Sequence, residues 1–232
     1  MEVEGVVFDL SNVLISDPFD RIMELKGKEF QNVLEKIQIK REEFIKAWRE
    51  ANKSVEYPFI SHFYQEIPII VHALNKIGIK ENAEEIASHI LPIYRDGLRI
   101  AIKNDKISND VKDVLEFLKN KNKKLAVFSN ERYNAVRAMI KWSEFEKYFD
   151  RIISGEEIGI EKNNLAAFRY VLNSLGTRVG STAYVGTKRY VEQAKMTGMK
   201  VIVISKENEE FKGTYKPDFV ISKISEIKNI IS

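Results

Sequence analysis

The 232-residue sequence predicts an α/β protein: a doubly wound parallel-sheet core with an inserted all-helical domain. Three observations carry this prediction. The first apolar run, "VEGVVFDL", is short, β-branched and apolar on both faces of a period-2 strand, as a buried parallel strand should be. Between about Phe19 and Arg95 strand signals disappear, and apolar residues recur at three- and four-residue spacing. After Lys106 strands and helices alternate over short connections, the pattern of right-handed crossovers in a parallel sheet.

The elements follow in order. Val3–Leu10 is the first strand. The helical block then reads "FDRIMELKGKEFQNVLEKI", "REEFIKAWREAN", "ISHFYQEIPIIVHALNKIG" and "NAEEIASHILPIYRDGL". Next, helix "SNDVKDVLEFLKNKN" leads into strand "KKLAVFSN", and helix "RYNAVRAMIKW" into strand "FDRIISG". Helix "NLAAFRYVLNSLG" precedes strand "TAYVGT", and helix "RYVEQAKMTG" precedes strand "MKVIVIS". A short strand "DFVIS" and helix "ISEIKNIIS" close the chain. Residues 1–15 and 96–232 are therefore assigned to the core domain, and 16–95 to the helical insert.

Composition narrows the function. Lys+Arg 37 against Asp+Glu 34 gives a net charge of +3, spread along the length, too weak a bias for a nucleic-acid or membrane partner. The absence of Cys excludes disulfides, thiolate catalysis and a Cys-based zinc site. His62, His72 and His89 are the only histidines, which argues against a His-rich metal site. No apolar run approaches the length of a membrane span, and the N-terminus lacks the basic start of a signal peptide. A cytoplasmic location is expected. "KNKNKK" (119–124) reads as the solvated end of a helix.

In an open α/β sheet, ligands bind beyond the carboxyl ends of the strands, near the switch point. The strand ends offer Asp9, the Ser129–Asn130 pair, the loop Gly155–Lys162 and the Gly186–Thr187 turn. Each is weak alone, since an aspartate or Ser-Asn after a strand is also an ordinary turn or helix cap. Their order carries more. "VVFDLSNVL", "LAVFSN", "SGEEIGIEKNNLAAFRYVLNSLG" and "AYVGTKRYVEQAKMTGMKVIVI" resemble the four motifs of the haloacid dehalogenase superfamily, and the helical insert resembles that family's cap. The resemblance spans essentially the whole chain and implies a Rossmann-like core.

By this resemblance Asp9 is the nucleophile, Ser129 the second-motif hydroxyl and Lys162 the third-motif cation that neutralises nucleophile and phosphate. Ser11, Asn12, Asn130 and Lys188 fall around the expected substrate anion. The first and fourth motifs are degenerate. The family's acid/base aspartate is Ser11 here, and the Gly-Thr that follows it is Asn12–Val13. The fourth-motif aspartate is Thr187, and in a loop about two residues short Tyr190 falls where a second carboxylate is expected. Serine is neither a useful acid nor a useful base at neutral pH, and losing such a group costs about 10²–10⁴-fold in rate. The family's Mg²⁺ is held by the nucleophile, the backbone carbonyl two residues on and the fourth-motif acid. Only Asp9 and the Ser11 carbonyl remain, so a weak or absent Mg²⁺ site is expected.

The resemblance therefore implies a phosphatase-type hydrolase, slowed or impaired. Two alternatives stay open: a catalytically inactive member that binds an anionic ligand or protein partner, and a metal-independent dehalogenase-like hydrolase. Asp9 is also readable as a mere strand-end cap. The expected partner is a small anionic, phosphate-bearing molecule, with a homodimer left open. The aromatic-rich segment Ser54–Ile67 is read as helical packing rather than a substrate platform, and His62 as a cap residue.

Overall fold

The computed structural model describes residues 1–15, 19–54, 62–104, 108–131, 133–205, 211 and 213–232, with backbone alone for 52–54, 62–66 and 108. The chain divides into two compact units, Met1–Asp17 with Asp105–Ser232, and Pro18–Asn104. The side chains of Ser54–Gln65, including His62 and its aromatic neighbours, lie outside the described residues.

The first unit holds one six-stranded sheet in the order β3-β2-β1-β4-β5-β6, with every pairing parallel. The strands are β1 (Gly5–Phe8), β2 (Lys124–Ser129), β3 (Arg151–Ser154), β4 (Thr182–Gly186), β5 (Lys200–Ile204) and β6 (Phe219–Ile221). From β1 the chain winds outward through β2 and β3, then returns to the other side of β1 at β4. The switch point therefore lies at β1, and its carboxyl end opens between β2 and β4. All four residues of β1 are buried, because helices cover both faces.

On one face, α9 (Leu165–Leu175) and α10 (Val191–Met196) pack over Val7, Phe128, Tyr184 and Val201. Phe168 of α9 meets Phe128 and Tyr184 edge-on, at 5.4 and 5.2 Å between ring centroids. Helix α6 (Ser108–Asn120) buries Val111, Val114, Leu115 and Leu118. Two aspartates tie strand starts together. Asp150 accepts from the Leu125 amide and Lys119, and Asp218 accepts from the Val201 amide and Lys195.

The second unit is helical among the described residues: α1 (Phe19–Leu25), α2 (Gly27–Glu35), α3 (Arg41–Ser54), α4 (His62–Lys76) and α5 (Ala83–Lys103). Its core gathers on Trp48, whose ring lies 5.5 Å from Phe19, 5.5 Å from Phe44 and 5.1 Å from Tyr94. The sequence boundary at 95/96 falls inside α5. The helical pattern read from the sequence ends at Leu98, and the burial of Ala101 and Ile102 accompanies its continuation to Lys103. No described helix is long and apolar enough to cross a membrane.

Candidate active site

The site is assembled at the carboxyl end of β1. The Asp9 amide donates to the Val185 carbonyl, which continues the β1–β4 ladder by one residue and fixes the carboxylate at the switch point. The chain then turns sharply. Asn12 adopts left-handed backbone (φ 63°), its amide donates to the Ile15 carbonyl, and Ser11 bridges to Ile15. Ser11 and Asn12 are exposed, whereas Asp9 is 8% exposed.

Lys162 is brought in by a chain of caps. Ser154 caps α8 (Gly155–Ile158) by accepting from the Glu156 amide, and Asn164 caps α9 by accepting from the Ala166 amide. Between them, the Lys162 amide donates to Asn130 Oδ1 at 2.9 Å, at the end of β2. Gly155 permits this approach, since a Cβ there would sit 3.0 Å from Asn130 Oδ1 and 3.1 Å from the Ile160 carbonyl. Asn130 Nδ2 also donates to the Tyr190 hydroxyl at 3.1 Å.

At 1% exposure, Lys162 Nζ donates to Asp9 Oδ1 at 2.7 Å and to the Phe128 carbonyl at 3.1 Å. It also lies 4.6 Å from the Tyr190 ring centre, 5.2 Å from Phe128 and 5.3 Å from Tyr184. Burial pushes the ammonium below the usual lysine range, while the Asp9 carboxylate pulls the other way. The Leu10 amide donates to Asp9 Oδ1 at 3.0 Å, and the Tyr184 hydroxyl donates to Oδ2 at 3.1 Å. Burial and the Asp9 charge hold the Tyr184 phenol well above its ordinary value, so it remains a neutral donor. Burial raises the Tyr190 phenol as well, against the pull of Arg189.

The structure thus joins Asp9 to Lys162, and Lys162 to Asn130. Ser129 is buried beside them, but its hydroxyl accepts from the Glu131 amide at 3.2 Å and is not among the donors to Asp9. Lys188 is exposed at the start of the 3₁₀ turn Lys188–Tyr190. Two participants lay outside sequence reasoning. Tyr184 sits within a strand that reads as plain core. Glu131, in the polar-looking "SNER", is 6% exposed and accepts from the Ser11 hydroxyl at 2.5 Å. An acidic residue directly after a strand-end Ser-Asn was the available signal.

Residues 68–204 match the model of the haloacid dehalogenase-like hydrolases. The chain belongs to this family. Within it, similarity to (S)-2-haloacid dehalogenase 2 of Pseudomonas sp. (strain CBS-3) runs over 100% of this chain and 96% of that protein, at 23% identity. Glyceraldehyde 3-phosphate phosphatase of Methanocaldococcus jannaschii is 31% identical over 36% of this chain and 38% of its own length. Among solved structures, L-2-haloacid dehalogenase from Xanthobacter autotrophicus superimposes with a TM-score of 0.70 at 16% identity, covering 98% of each chain. That likeness supports the fold.

The family implies Mg²⁺, which needs a near-octahedral oxygen shell. Here both Asp9 oxygens already accept from an ammonium, an amide and a phenol. Thr187 brings no charge at the fourth-motif position, and the Tyr190 ring faces Lys162 instead. No group of three His, Asp or Glu that could hold a metal occurs among the described residues. This donor set does not fit Mg²⁺.

Proposed function

We propose that the chain is a slow, metal-independent hydrolase of small anionic substrates, phosphate esters foremost, which it attacks with Asp9. One observation carries this reading: the Asp9 carboxylate is held at the switch point by Lys162, Leu10 and Tyr184. These donors fix its orientation, and the Lys162 ammonium supplies the countercharge that brings an anion to an anionic nucleophile. Attack would form a covalent ester on Asp9 and expel the leaving group. Ser11 donates no proton as an acid, so substrates with weakly basic leaving groups are favoured. The missing acid/base costs about 10²–10⁴-fold.

Carbon–halogen cleavage is a second reading with its own support. A halide departs without a proton, and the similarity to a haloacid dehalogenase covers the whole chain. The test is turnover of p-nitrophenyl phosphate and of 2-bromopropionate, each with Mg²⁺ and with chelator, in the unmodified chain and in Asp9→Asn. Turnover below about 1 s⁻¹, indifferent to metal and abolished by Asp9→Asn, is expected. Phosphate binding with no turnover of either compound would favour a binding protein instead.

A further inference from the structure

Hydrolysis of an Asp9 ester needs a base to activate water, and the family's position for it holds Ser11. Close to that serine lies a buried carboxylate. Glu131 follows Ser129–Asn130 at the end of β2 and is 6% exposed. Glutamate is almost never so buried unless it is paired. Its backbone is pinned on both sides: the amide donates to Ser129 Oγ at 3.2 Å, and the carbonyl accepts from Ser154 Oγ at 2.5 Å. From this anchored position the side chain reaches the end of β1, where the Ser11 hydroxyl donates to Oε1 at 2.5 Å. The Glu131 charge also acts on the Lys162 ammonium, which is itself 2.7 Å from Asp9. A hydroxyl at the acid/base position, a carboxylate directly behind it and the nucleophile therefore meet at one strand end.

We propose that Ser11 and Glu131 form a two-member proton relay that replaces the missing acid/base. This inference rests on the Asp9-ester reading above. In the second half-reaction the oxygen of a water molecule bonds to the phosphorus of the ester. One water proton passes to Ser11 Oγ as the serine's own proton passes to Glu131 Oε1. The phosphorus–oxygen bond to Asp9 breaks, and its electron pair returns to the Asp9 carboxylate. After phosphoryl hydrolysis Glu131 loses its proton to solvent through Ser11. For an alkyl ester, water bonds to Asp9 Cγ instead, the bond from Cγ to the alkoxy oxygen breaks, the relay returns its proton to the departing alkoxide, and the regenerated Asp9 carboxyl loses the remaining water proton to solvent. No metal or redox partner enters the balance. Glu131 touches the reacting water only through Ser11, so it acts as a positioned proton acceptor behind it.

The test is rapid-quench mass measurement of the Asp9 adduct, with p-nitrophenyl phosphate or 2-bromopropionate, whichever labels the unmodified chain. In Glu131→Gln, decay of the adduct should slow by about 10²–10⁴-fold, so that it persists after excess substrate is removed. Ser11→Ala should behave in the same way. Glu131→Ala should regain faster decay when formate is added, which a purely structural glutamate would not show. Decay at the unmodified rate in both Glu131→Gln and Ser11→Ala would overturn the relay. So would slow decay in Glu131→Ala that formate leaves unchanged. An unmodified chain that never forms an adduct would overturn the Asp9-ester reading, and the relay with it.

Discussion

Lys162→Met is the substitution on which the site's energetics turn. It keeps the length of the side chain and removes the cation. In the folded chain Asp9 would keep the Leu10 amide and the Tyr184 hydroxyl but lose its ion pair, at 8% exposure. Removing one partner of a buried pair costs about 3–5 kcal/mol, because the other charge is left uncompensated. For a chain of this size that corresponds to a fall in Tm of about 6–20 °C. The reciprocal change, Asp9→Asn, should cost less. Its stranded ammonium is already biased by burial toward the neutral form and keeps the Phe128 carbonyl as an acceptor. The double variant removes both charges, so it should be more stable than the sum of the singles by at least about 1 kcal/mol. Thermal melts followed by circular dichroism, with urea titrations to fix the free energies, measure all four corners of the cycle. A fall in Tm below about 2 °C for Lys162→Met, or additivity within about 0.5 kcal/mol, would show that the two charges do not compensate one another.

Three further outcomes are expected. Gly186→Ala would bring a Cβ to 2.5 Å from Cε1, Cζ and Oη of Tyr184, driving the phenol off Asp9. We expect a loss of about 1–3 kcal/mol in urea titration, and an unchanged stability would refute it. At Asp150 and Asp218, burial alone would raise the carboxyl pKa. For Asp150 the Leu125 amide and Lys119 outweigh it, and for Asp218 Lys195 and the Val201 amide do. Both are therefore held below their ordinary value, so their stabilisation is present above about pH 4 and is lost as pH falls through the lowered values. Asp150→Asn with Asp218→Asn should flatten the fall of Tm between about pH 4 and 2, and an unaltered acid limb would contradict this. Finally, Ser11→Asp with Thr187→Asp should create Mg²⁺-dependent hydrolysis of p-nitrophenyl phosphate that Asp9→Asn abolishes. The carboxyl introduced in place of Ser11 would meet Glu131 where the serine now hydrogen-bonds, so adding Glu131→Gln should raise that activity further. No Mg²⁺-dependent gain in either combination would count against the alignment of these positions.

The fold was legible because its signals are local and redundant. "GVVF" and "KVIVI" are too apolar for a sheet with one wet face, and the alternation after Lys106 leaves little topology open. The pairing of Asp9 with Lys162 was legible from the order of the strand ends, since only a switch point at β1 brings the two together. The end of α5 was less so. Its pattern was followed only to Leu98, and the burial of Ala101 and Ile102 shows why the helix continues. Tyr184 was not legible, and Glu131 offered only its place directly after a strand-end Ser-Asn. In "SNERY" a glutamate looks like one more solvated loop residue, and the bond to Ser11 spans 120 positions of sequence. Tyr184 sits in β4 as an aromatic core residue should, and its hydroxyl gains meaning only because β4 is the neighbour of β1.

Whether Asp9 is the nucleophile is decided by mapping the adduct. The chain, stripped of divalent metal, is incubated with p-nitrophenyl phosphate or 2-bromopropionate, quenched in acid, digested and measured by mass spectrometry. The peptide that contains Asp9 should gain mass, without Mg²⁺ and not in Asp9→Asn. Turnover with no label on Asp9, label on a different residue, or label that appears only when Mg²⁺ is restored would contradict it.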